Sequence, residues 1–78
     1  MRRSDLPIHY DPHALRRMSQ RSVSREQIEQ VVRSPDAVRP AKRRGALRLE
    51  KAMSARKRLA VIAEVSRTDA LIVSAWWM

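Results

Sequence analysis

A chain of 78 residues has room for one small domain, and its formal net charge of +9, carried mostly by arginine, favours phosphate backbones or acidic proteins as contacts. The absence of cysteine excludes a disulfide framework and a zinc-finger ligand set, and no cofactor or metal motif is present. No apolar run approaches the roughly 20 residues of a membrane span, and Asp5, Pro7 and His9 interrupt any signal-peptide core, so a soluble cytoplasmic protein is expected.

Residues 1–5 read as a basic tail and 6–78 as a single domain. Leu6, Ile8 and Tyr10 alternate with Pro7 and His9, the pattern of a short strand that proline confines to a sheet edge. Asp11-Pro12 then supplies an N-cap and a first helical residue, predicting a helix to about Arg21 with Ala14, Leu15 and Met18 on one apolar face. A second stripe carries His13, Arg17 and Arg21 at a spacing of four. Ser22 turns the chain. Ser24 and Gln27 have capping-box spacing, Val23 and Ile28 form a staple, and Ile28, Val31 and Val32 make an apolar stripe that Ser34-Pro35 stops.

The remainder reads as strands. Ala37-Val38 lies between Pro35 and Pro40, and Lys42-Arg43-Arg44-Gly45 is a turn containing the chain's only glycine. From Ala46 to Met53 the period is two, with Leu47, Leu49 and Met53 on one side and Arg48 and Glu50 on the other. Leu59–Val65 and Ala70–Trp77 are almost wholly apolar and read as central and final strands, turned at Ser54–Lys57 and Ser66–Asp69. The expected fold is α+β: a short N-terminal edge strand, a helical hairpin, and a three- to four-stranded antiparallel sheet with the helices on one face. Trp76 and Trp77 face opposite sides of their strand, one into a core and one free to stack a base or close an interface.

The run His13-Ala14-x-x-Arg17-Met18-x-x-Arg21-x-Val23-Ser24, with an acidic aliphatic second helix and a C-terminal apolar hairpin, resembles a family of small bacterial domains without assigned function. That family is grouped with the RelE/ParE-like and BrnT-type toxins, and the likeness spans about Ile8 to Trp77. It differs at Ser22, where the family often has glycine. The resemblance implies a RelE-like fold, metal-independent RNA cleavage or inhibition of a nucleic-acid enzyme, and restraint by an acidic antitoxin-like partner.

Metal-free RNA cleavage needs a base for the 2′-hydroxyl, cations for the crowded phosphate and an acid for the leaving oxygen. Imidazole titrates near working pH, so His13 is the candidate general acid/base, with Arg17 and Arg21 as phosphate clamps. Tyr10, His9 and Glu64 are candidates for the second proton transfer. The bland alternatives are a His13 that ties the helix to the sheet, and arginines that are solvated or paired with Glu26 or Glu29. A basic cluster of Arg39, Lys42, Arg43, Arg44 and Arg48, with a further run at Arg56-Lys57-Arg58, makes Arg43, Arg44, Arg48 and Arg58 the candidate nucleic-acid contacts. Three functions follow: an RNA-cleaving domain, a non-catalytic nucleic-acid-binding module, and a domain that docks an acidic protein. A second copy of the chain is a further candidate partner, since so small a core gains from self-association.

Overall fold

Asp11 and Pro12 start the first helix by the chemistry their order implies. In the computed structural model, which describes residues 6–78, Asp11 is extended and its Oδ1 accepts the His13 amide at 2.8 Å. The basic tail expected at 1–5 lies outside the described residues. Helix α1 runs Pro12–Gln20, with Ala14 and Met18 buried. Leu15 is 36% exposed instead of sharing their face. It stands roughly 100° round the helix from Ala14, and the Ala14–Met18 line is the part of the helix that is buried.

Helix α1 closes on a Schellman turn. The Val23 amide donates to the Met18 carbonyl at 2.8 Å, the Ser22 amide to that of Ser19 at 3.4 Å, and Val23 and Met18 are both core residues. The geometry requires Ser22 at φ 55°, the left-handed region where a Cβ is crowded. Ser22→Gly is therefore expected to stabilise the domain by about 1 kcal/mol, the left-handed cost of ~1–2 kcal/mol less glycine's larger unfolded-state entropy. Thermal unfolding should show Tm rising by roughly 4–8 °C; a fall would mean that the serine conformation is unstrained.

Helix α2 spans Arg25–Arg33 behind a complete capping box, in which Ser24 Oγ accepts the Gln27 amide and Gln27 Oε1 accepts the Ser24 amide. Ile28, Val31 and Val32 are fully buried, and Val23 joins Ile28 in the same core, as a staple requires. Lys51 Nζ donates to the Ser34 carbonyl at 2.7 Å, placing a cation at the helix C-terminus.

The strands are β1 (Ile8–Tyr10), β2 (Ala37–Pro40), β3 (Ala46–Ala52), β4 (Arg58–Val65) and β5 (Ala70–Trp77). They form one sheet in the order β1-β5-β4-β3-β2, antiparallel except for β1, which pairs parallel to β5. The architecture is α+β, with five strands rather than three or four. The expected edge strand β1 is part of the same sheet and covers the edge of β5 only as far as Ile72. Helix α1 packs against β5, and Arg21 at its C-terminal end reaches the Ala75 carbonyl beyond that point. Gly45, at φ +79°, makes the turn from β2 into β3.

Both helices lie on one face, over a core that includes Leu49, Leu59, Val61, Ala63, Ile72 and Ala75. The pairing of β4 with β5 slips between Ile62, opposite Ser74, and Ala63, opposite Ile72, leaving Val73 as the extra residue of a bulge. The bulge re-phases β5. Ala70 and Ile72 face the helices before it, while Ala75 and Trp77 do so after it, leaving Ser74 and Trp76 on the open face. Among the described residues, no helix is long and apolar enough to cross a membrane.

Candidate nucleic-acid interface

The register lays out the open face row by row. Ala37, Glu50, Ala60 and Trp76 stand side by side across four strands, and Arg39, Arg48, Ile62 and Ser74 form the next row. Alanines on both sides of Glu50 leave space that longer side chains cross. The result is a trough of about 590 Å³, floored by Ile62, Val73, Ser74 and Trp76 and walled by Arg39, Lys42, Arg43 and Arg48.

Arg48 organises its centre. Its guanidinium lies 5.1 Å from the centroid of the Trp76 ring, and its Nε donates to Glu50 Oε2 at 2.7 Å. Glu50 is only 3% exposed, so it needs that cation. Its other oxygen, Oε1, lies 3.7 Å from Arg58 Nη2, beyond a hydrogen bond. Arg43, on the hairpin between β2 and β3, pairs with Glu64 on β4 at 2.7 Å. Among the described residues, Arg39, Lys42 and Arg44 have no carboxylate within ion-pair distance.

Next to the trough, and sharing Arg43 and Val73 with it, is a smaller cleft of about 360 Å³ lined also by Asp11, His13 and Arg17. His13 is exposed in the first turn of α1. Arg17 Nη1 donates to Ser74 Oγ at 3.3 Å, so the arginine bridges the cleft to the trough floor. Arg21 takes a different path: its Nη1 donates at 2.8 Å to the Ala75 carbonyl on the edge of β5, while its own carbonyl accepts Trp77 Nε1 at 2.8 Å. Neither arginine pairs with Glu26 or Glu29.

A family model described as a domain of unknown function, DUF4258, matches residues 10–77. The chain belongs to the DUF4258 family. No curated protein and no solved structure matches it.

In this DUF4258 chain the candidate residues therefore separate into groups. Arg43 and Arg48 wall the trough, and His13 and Arg17 share the adjoining cleft with Arg43. Arg44 lies on the exposed hairpin outside both, and Arg58 is engaged by Asp36 and Glu50, each at 3.7 Å. Of the three candidates for a second proton transfer, His9 and Glu64 line a separate cleft with Ser66 and Asp69. Tyr10 packs against the core with Arg25 5.2 Å over its ring.

The Tyr10 hydroxyl is buried and has no hydrogen-bond partner among the described residues. Burial pushes its pKa up, and the charge of Glu29 adds to the rise against the opposing pull of Arg25 and Arg33. The folded state then holds this proton more tightly than the unfolded state, so stability is present below pH ~10 and is lost as pH rises above it. Urea titrations on the alkaline side should show that loss reduced in Tyr10→Phe; an identical loss in both proteins would clear Tyr10 of it.

Sequence reasoning passed over Glu50 as a site residue and left the two tryptophans unassigned. Glu50 had a signal in the polar phase of β3. The bulge at Val73, which decides which tryptophan faces out, has no counterpart in the hydrophobic pattern.

Proposed function

We propose that the open face of the sheet binds single-stranded RNA. The observation that supports it is the Arg48 guanidinium stacked on Trp76 inside a trough walled by further cations. Unpaired bases stack on aromatic rings and on arginine planes, and cations such as Arg39 and Lys42 meet the backbone. The preference for RNA follows the resemblance of the His13–Ser24 motif to a family grouped with the RelE/ParE-like and BrnT-type toxins, and carries a cytoplasmic location with it. Fluorescence anisotropy with labelled RNA across a range of salt tests this reading. The expected result is a linear fall of log K with log salt, about −0.7 per phosphate contacted. Salt-independent retention, or none, would overturn it.

Metal-independent cleavage is the second reading, favoured by the cleft that joins His13, Arg17 and Arg43. There His13 takes the proton from a 2′-hydroxyl, the 2′-oxygen attacks the adjacent phosphorus, and the 5′-oxygen leaves with a proton from solvent. Arg17 and Arg43 neutralise the crowded phosphate. In EDTA, His13→Ala is expected to lower cleavage by roughly 10²–10⁴-fold with folding retained. Equal cleavage by the variant would remove His13 from the chemistry; uncut RNA that is still bound would leave the binding module. An acidic antitoxin-like protein is the partner this reading implies, and its carboxylates would compete with phosphates for the same walls.

A further inference from the structure

We propose that the trough reads guanine, an inference that rests on the RNA-binding reading above. Glu50 carries it. A carboxylate offers about four acceptor positions, and among the described residues only one hydrogen bond, from Arg48 Nε, reaches this one. Glu50 is 3% exposed yet lines the trough, with Ala60 between it and Trp76 on the same row.

A ligand for this place must bring hydrogen-bond donors to a carboxylate and negative charge to Arg39 and Lys42, and must lay a flat face against Arg48. A cationic peptide side chain meets the first demand and is repelled by the walls. A guanine nucleotide meets all three. Guanine is the RNA base whose Watson–Crick edge presents two adjacent donors, N1–H and the 2-amino group. Adenine and cytosine set an acceptor nitrogen beside their amino group, and uracil flanks its one N–H with two carbonyls; each turns a lone pair toward Glu50. The guanine ring would stack on the Arg48 guanidinium, which Trp76 supports at 5.1 Å and whose Nη2 reaches Met78 Sδ at 4.0 Å.

The test uses three labelled short RNAs of A/U sequence that carry guanosine, inosine or adenosine at one central position. Their affinities for the wild-type protein are measured at fixed salt and again across a salt series. Guanosine is expected to bind about tenfold more tightly than adenosine, with inosine, which lacks only the 2-amino donor, between them. In Glu50→Gln the guanosine preference is expected to collapse to about twofold or less. The inosine comparison needs no variant, so it holds even if that substitution perturbs folding. Equal, salt-sensitive binding of all three RNAs would overturn guanine recognition and leave RNA binding standing. No binding of any of them would overturn both.

Discussion

Arg48→Ala is expected to lower the stability of the domain by about 2–3 kcal/mol, a large fraction of the ~4–12 kcal/mol available to a chain of this size. The cause is the group left behind. Glu50 is 3% exposed and would lose its 2.7 Å bond, while Arg58, at 3.7 Å, stands too far off to replace it. An unsatisfied buried carboxylate costs more than the bond is worth. Arg48 is itself one-third exposed, which keeps the loss below that of a fully buried pair. Removing both partners takes away the stranded charge, so Arg48→Ala/Glu50→Ala should recover much of the loss. Urea unfolding of the two single variants and the double variant measures this directly. A change within about 0.5 kcal/mol for Arg48→Ala would mean that Glu50 is adequately solvated.

Trp76→Ala is expected to weaken RNA binding by about 1–3 kcal/mol, or roughly 5- to 150-fold, by removing the support under the stacked guanidinium. Because a ring contributes no phosphate contact, the slope of log K against log salt should stay where it was. That combination separates loss of stacking from a general loss of charge. Trp77 is the control on the other face. It packs against the helical core and donates to the Arg21 carbonyl, so Trp77→Ala should act mainly on stability. Equal RNA affinity of wild type and Trp76→Ala would exclude the open-face ring from the interface.

The elements were legible where local chemistry alone determines them. Asp11-Pro12, Ser24 with Gln27, Pro35 and Gly45 each act within a few residues, and the helices and turns fall at these signals. The two-residue period likewise separated Leu47 and Leu49 from Arg48 and Glu50 in β3. What the pattern could not carry was long-range. The parallel seat of β1 beside β5 joins residues about sixty positions apart, and no local feature announces it. The bulge at Val73 reverses the phase of β5 inside an unbroken apolar run, hiding the outward turn of Ser74 and Trp76.

The candidate site divides on the same line. His13 and Arg17, one helical turn apart, line a common cleft. That Arg43 joins them depends on the β2–β3 hairpin reaching across to Glu64. Arg21 belongs to the same stripe, yet one further turn carries it to the edge of β5, where a backbone carbonyl accepts its hydrogen bond. Glu50 reads as an ordinary outward polar residue until its alanine neighbours and the crossing arginines enclose it.

The hold of Arg21 on Ala75 bears on how the protein behaves when crowded with copies of itself. A strand edge with open amides and carbonyls is a template for another strand, and β5, among the most apolar segments of the chain, would be a hazardous one past the end of β1. Helix α1 packs against this strand, and Arg21 occupies a carbonyl that an incoming strand would seek. The opposite margin is blunted by other means: β2 is four residues long, carries the exposed Arg39 and ends on Pro40, which has no amide hydrogen to offer. With both margins guarded in this way, the sheet is expected to resist cross-β polymerisation, and loosening α1 is expected to open an aggregation route at its most apolar strand.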